Sequence, residues 1–435
     1  MSPRESTQTM GPYNVARVLK HEFTHTVTLA ATNNRIPHWL TEGLAVLQED
    51  SPRSYDWCWI LAEAVRRDEL FSLDDINWGF MRPRRPNARM QAYAQSEWMC
   101  EFIIDRWGYD SINALLKRFR DGKTQVQAFE EQLKISEAEF DSAFRQWAGQ
   151  QASKWCFDLT PPVPVAAARE EAELKPQEAA VLARLARAEL DAGFSEPALE
   201  AARRALAIDD EERTALKVLV SVLAEFASME ASEAGRVGYA DQALPALLRF
   251  CELEPGDWLA PKLLADIYLR RRNFDAALPQ LIRLQQLCSL DPASYRGLAG
   301  IYLKRGQDDL ALPQLLELAR SEEHDPQVAQ QIGQIYRRQQ KLPDAIYWFR
   351  QSLYINLFDA DAHRELAETQ MMAGDTKGAL SSYTMLTLLE PRKARNFSDA
   401  AVAAHKLGEE EQARRFAQQA IALDPDSPAR ALLPE

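Results

Sequence analysis

Ile332-Gly333-Gln334-Ile335-Tyr336, followed by Ala345 and Phe349, is the stretch on which the fold turns. It reads as two short helices joined by a turn, and the same spacing extends outward from it. Ala243, Ala277, Ala311, Ala345, Ala379 and Ala413 stand 34 residues apart, and Tyr268, Tyr302 and Tyr336 each precede a repeat alanine by nine. Pro255, Pro292, Pro326, Pro391 and Pro425 fall between units. Small alanines let the two helices of a unit approach, while tyrosines and leucines fill the next layer. An earlier unit centres on Ala198, with Gly193 in its turn, but lies 45 residues before Ala243. The surplus is expected as a loop or extended turn around Met229 to Gly238.

This pattern resembles the tetratricopeptide (TPR) repeat. The resemblance implies about seven helix pairs over residues 177–428, wound into a right-handed superhelix. Its concave groove would bind a peptide segment or a partner protein. Arg270-Arg271-Arg272, at the end of one unit's first helix, reads as a solvated turn. His324, His363 and His405 are scattered singly and read as structural or exposed residues, not ligands.

Upstream the composition changes: eight of the ten tryptophans fall by Trp155, and the proline-rich Leu159 to Val165 follows. The expected organisation is a first domain over 1–155, a linker over 156–176, the array over 177–428 and a tail over 429–435. Within the first domain, Leu19-Lys20-His21-Glu22-Phe23-Thr24-His25 spells His-Glu-x-x-His. Val15, Val18, Leu19 and Phe23 mark an amphipathic helix over 12–30. His21 and His25 then lie one turn apart on one face, where two imidazoles can reach a single divalent ion. Glu22 lies beside them, where it can polarise a metal-bound water. After a break at Thr32 to Pro37, a second helix over 37–49 carries Glu42, which would point toward the metal as a third ligand. His38, one turn before Glu42, is a rival ligand. Farther on, Ser136 and Glu139 read as a capping box opening a helix that carries Phe140, Phe144 and Trp147.

His-Glu-x-x-His followed by Trp39-Leu40-Thr41-Glu42-Gly43-Leu44-Ala45 resembles the gluzincin metallopeptidases, the thermolysin-like or peptidase MA-like group. The resemblance implies that His21, His25 and Glu42 bind one Zn²⁺ per chain and that Glu22 is the general base. Gln91 to Trp98 is similar to a Tyr-Ala-x-Ser helix of the same group. That makes Tyr93 a candidate hydrogen-bond donor to the oxyanion; a helix-packing tyrosine is the alternative. The expected fold class is mainly all-α: a mostly helical gluzincin-like domain, N-terminally truncated on one reading, plus a TPR α-solenoid. The expected function is a zinc-dependent peptidase that hydrolyses peptide bonds through a metal-activated water, with the array recruiting substrate or partner proteins. The alternative is an inactive metallopeptidase-like scaffold. It is favoured by the 20 residues before His21, where gluzincins normally place a β-sheet.

The formal charge of −13 argues against a general nucleic-acid or anionic-membrane binder. No run of eighteen apolar residues is present, so no transmembrane segment is expected. Met1 to Thr7 holds no apolar signal segment. The five cysteines are scattered without a Cys-x-x-Cys pair and read as reduced. A cytoplasmic location follows for the chain as given, and a truncated N-terminus would allow a periplasmic or secreted one.

Overall fold

The structure is a computed structural model that describes residues 14–49, 51–321 and 324–433. Residues 12 and 13 of the first expected helix, the stretch Met1 to Thr7, and residues 434 and 435 of the expected tail lie outside the described residues. All regular structure among the described residues is helical, and no helix there is long and apolar enough to cross a membrane. By contact density the chain divides into two compact units, Thr24–Lys304, and Arg305–Glu435 together with the residues up to Phe23. The division passes through the first helix, which is itself unbroken.

The N-terminal helices are α1 (Val15–Ala31), α2 (His38–Leu47), α3 (Tyr55–Arg66), α4 (Ile76–Met81), α5 (Ala88–Trp107), α6 (Asp110–Arg120), α7 (Gln125–Ala128) and α8 (Glu137–Ala152). Helix α1 stops where Asn33 and Asn34 turn left-handed, at φ 51° and 59°, a conformation that asparagine tolerates better than most residues. Pro37 follows as the N-cap of α2. From Trp39 to Val46 every side chain of α2 is buried. Helix α2 lies so close to α5 that a Cβ added at Gly43 would run into the backbone carbonyl of Ser96. Trp39 Nε1 also donates to Gln125 Oε1 at 2.7 Å, tying α2 to α7. The capping box read from Ser136 and Glu139 is present, with Ser136 N donating to Glu139 Oε2 at 2.8 Å. Behind it, Phe140 and Phe144 are buried against Trp98 and Phe102, so the tryptophan-rich composition builds an aromatic core between α5 and α8.

A further helix, α9 (Val165–Leu174), precedes the repeats. Three hairpins follow in the unit Thr24–Lys304: α10 (Ala179–Asp191) with α11 (Ser195–Ile208), α12 (Arg213–Met229) with α13 (Glu233–Leu253), and α14 (Leu259–Arg270) with α15 (Phe274–Leu287). Helices α16 (Pro292–Lys304) and α17 (Asp308–Ser321) belong to the repeat through which the division passes. The other unit holds α18 (Pro326–Arg338) with α19 (Leu342–Ile355), α20 (Ala360–Met372) with α21 (Thr376–Leu389), and α22 (Ala394–Lys406) with α23 (Glu410–Leu423). The six repeat alanines are all buried. Arg272, Gly306, Gln340, Gly374 and Gly408 take positive φ, one in each of the last five hairpin turns, at the same 34-residue spacing. These residues end the first helix of those units by turning left-handed. Arg272 is therefore the turn residue of the arginine triplet. Its neighbours are engaged, Arg270 with Asp266 at 2.8 Å and Arg271 with Asp241.

Two expectations are corrected here. The surplus before Ala243 is no loop. It lengthens α12 and α13 to 17 and 21 residues, where α14 and α15 have 12 and 14, and the intervening turn remains short. Alanine, leucine and valine with helical spacing outweigh the two glycines, 235 and 238, that suggested a turn. The cysteines are also not all reduced. Cys156 and Cys288 form a disulfide with Cα atoms 5.2 Å apart, while Cys58, Cys100 and Cys251 are free. The two lie 132 residues apart in sequence, so only the tertiary fold brings them together. The sequence-based ground for an intracellular location falls with that reading.

Within the same unit, α3 is fastened to α10. Buried Arg66 reaches both carboxylate oxygens of Asp191, at 3.1 and 2.7 Å, and Arg67 donates to the Asp191 carbonyl at 2.7 Å. Tyr55, Phe157 and Trp258 pack edge to face beside this contact.

Two outcomes are expected. Gly43→Ala should lower stability by about 1–3 kcal/mol, because the added methyl meets backbone rather than a side chain that could rotate away; thermal unfolding monitored by circular dichroism measures this, and an unchanged midpoint would contradict it. Peptide mapping without reductant should recover Cys156 linked to Cys288. Reduction should then cost about 2–4 kcal/mol of stability; free thiols at both positions would count against the staple.

Candidate metal centre

Helix α1 turns polar side chains inward. Thr28 and Thr32 are buried and His21, Thr24 and His25 half-buried, whereas Leu19 and Phe23 are 63% and 68% exposed. Three of the four residues of the apolar stripe, Val18, Leu19 and Phe23, thus lie on the outer side, while Val15 is half-buried, and the motif's second histidine faces α2.

His25 Nε2 lies 3.4 Å from Glu42 Oε2. Two ligands each about 2.1 Å from one ion in tetrahedral geometry stand ~3.4 Å apart, so this edge fits a shared metal. His21, one turn earlier on α1, completes the group. Each of the three residues offers a ligand atom within 4.8 Å of the others, the one such group of three or more found among the described residues. Two imidazole nitrogens and one carboxylate oxygen are a donor set suited to zinc. Glu22, between the two histidines in sequence, is on the exposed side of α1.

His38 is outside that group. Its Nε2 lies 3.2 Å from Glu42 Oε1, so the two carboxylate oxygens meet different histidines. The His38 ring stands edge-on to Phe80 at 4.8 Å, and Phe80 stands edge-on to Tyr93 at 4.9 Å. Tyr93 is half-buried and joins the site through this line of rings.

Sequence reasoning missed Thr41 and Thr28. His25 Nδ1 lies 2.9 Å from Thr41 Oγ1, which lies 2.8 Å from Thr28 Oγ1. Thr28 Oγ1 donates to the Thr24 carbonyl at 2.9 Å, and Thr32 Oγ1 to the Thr28 carbonyl at 2.7 Å. The available signal was Thr24, Thr28 and Thr32, spaced by four beside the two histidines. Among the repeat histidines, His363 Nε2 is 2.9 Å from the Leu357 carbonyl and His405 pairs with Glu410 at 3.0 Å, both local contacts.

A cavity of about 540 Å³ opens beside α3 in the unit Thr24–Lys304, with Phe157, Arg187, Arg213, Lys217 and Trp258 among its walls. Its cations are paired, Arg187 with Asp158, Arg213 with Glu254 and Lys217 with Asp257, at 3.1, 3.0 and 2.6 Å.

Residues 9–149 match the family model described as Peptidase_MA_2, Peptidase MA superfamily. No curated protein matches the chain. Solved structures that resemble it include YrrB, described as a TPR protein with an unusual peptide-binding site. It is 18% identical, with a TM-score of 0.37, over 43% of this chain and 96% of YrrB. A MamA structure is 16% identical, with a TM-score of 0.33, over 37% of this chain and 95% of MamA. A MamA fragment from Desulfovibrio magneticus RS-1 is 25% identical, with a TM-score of 0.28, over 31% of this chain and 76% of the fragment. Residues 9–149 are thus similar to the Peptidase MA superfamily, and 34-residue helix pairs of TPR type follow them.

Proposed function

We propose that the chain is a zinc-dependent peptidase whose repeat array recruits the substrate or a partner protein. The observation that carries this reading is the convergence of His21, His25 and Glu42 within the superfamily segment. His21 and His25 would hold the ion through ring nitrogens, and Glu42 through a carboxylate oxygen. A Zn²⁺ bound there supplies Lewis acidity toward a peptide carbonyl and lowers the pKa of water at the site. Glu22, on the open side of α1, would take the proton of the attacking water and return it to the departing amine. Tyr93 is the candidate donor to the carbonyl oxygen as charge develops on it; the ring line through Phe80 to His38 supports a place near the site. The cavity beside α3, with its balanced charges and aromatic walls, is our candidate for holding a segment of the recruited protein.

One observation favours the scaffold reading. The outer side of α1, with Leu19, Glu22 and Phe23, is exposed, so the described residues provide no wall over it.

The expected outcome for Glu22→Gln is full zinc content and native helicity with cleavage reduced about 10²–10⁴-fold. His21→Ala and Glu42→Ala should lose most of the zinc in elemental analysis. A broad peptide library, assayed with wild type, E22Q and a chelated control, makes the measurement. Equal rates for wild type and E22Q would remove Glu22 as base, and zinc-loaded wild type that cleaves nothing would favour the scaffold.

A further inference from the structure

Hydrogen-bond accounting around His25 has one consistent solution. A carbonyl oxygen only accepts, so the Thr28 hydroxyl spends its single hydrogen on the Thr24 carbonyl at 2.9 Å. The 2.8 Å contact between Thr28 and Thr41 must then be donated by Thr41. With its own hydrogen committed, Thr41 Oγ1 can only accept from His25, 2.9 Å away, so Nδ1 carries the hydrogen. In the neutral ring this leaves the lone pair on Nε2, the atom 3.4 Å from Glu42 Oε2. Both hydroxyls are buried, so water does not compete for these bonds.

We infer that Thr41, backed by Thr28, is a positioning residue that holds His25 in the Nδ1–H tautomer and aims Nε2 at the cation site. The inference rests on the zinc-site reading above. Ligand histidines commonly donate their second N–H to an acceptor that fixes the ring, and loss of that acceptor typically lowers metal affinity by about 10–100-fold. Here the acceptor is a hydroxyl one residue before the ligand Glu42, so one turn of α2 both supplies a ligand and orients another. Thr28 never touches the His25 ring, yet it decides the direction of the chain. Without it, the Thr41 hydrogen is released to point at Nδ1, which favours the opposite tautomer.

The test measures zinc affinity of the full chain by competition with a chromogenic chelator, alongside the nitrogen-15 signals of His25 in metal-free protein. Thr41→Val, close to isosteric, should bind zinc about 10–100-fold more weakly. Thr41→Ser should restore wild-type affinity. Thr28→Val should weaken binding as well and move the His25 hydrogen toward Nε2. Circular dichroism establishes that each variant is folded; should T41V fail to fold, the T41S and T28V pair carries the test. T28V and T41V that bind zinc as wild type does would overturn the positioning role. So would a wild-type His25 protonated at Nε2 alone. Wild type that binds no zinc at all would overturn the metal-site reading itself, and the inference with it. Weakened binding in T41V and T28V, rescue by T41S and an Nδ1–H signal in wild type support the proposal.

Discussion

A carboxylate buried in the middle of α2 is the constraint on which this site depends. The residues on either side of it, Trp39 to Val46, are all withdrawn from water, and Glu42 is only 9% exposed. An ionised carboxylate in such a place costs several kcal/mol unless cationic or hydrogen-bonding groups face it. His25, from α1, and His38, one turn earlier on α2 itself, approach its two oxygens. A divalent cation at the Glu42–His25 edge, as proposed above, would answer the same requirement with a full charge. The close crossing of α2 on α5 at Gly43 leaves the helix little room to slide, so the carboxylate keeps its place.

The burial pattern of α1 follows from what it must face. Its inward side meets Thr41 and Glu42, so it carries histidines and threonines whose polar atoms find partners there. The bonds that Thr28 and Thr32 return to carbonyls one turn back satisfy hydroxyls that would otherwise be stranded. Val18, Leu19, Phe23 and Val27 are left for the outer side, while Leu29 packs against the core.

In the unit Thr24–Lys304 the site-bearing helices and the first repeats are held by unlike interactions. Arg66 is buried and bidentate on Asp191, a geometry that fixes orientation as well as distance. The aromatic group of Tyr55, Phe157 and Trp258 adds apolar area, and the Cys156–Cys288 bond shortens the denatured chain. These contacts also define the charged cavity beside α3. Its walls come from α3, the segment after α8 and the repeat helices, so no single one of these builds it.

What the sequence determined by itself was everything with a short period. The 34-residue spacing of alanines and the His-Glu-x-x-His run declare helices directly, because side chains one turn apart share a face whatever surrounds them. The capping box at Ser136 was legible for the same reason. The convergence of His25 with Glu42 was legible only as an expectation, since it joins two helices across a break. The tertiary structure alone decided which face of α1 turned inward, that Cys156 meets Cys288, that the Thr41 hydroxyl stands beside His25 Nδ1, and that surplus residues lengthened α12 and α13. Each of these depends on packing between segments distant in sequence or on competition between turn and helix over a long stretch. Local spacing carries no information about either, because the free energy that settles them lies in contacts the period does not contain.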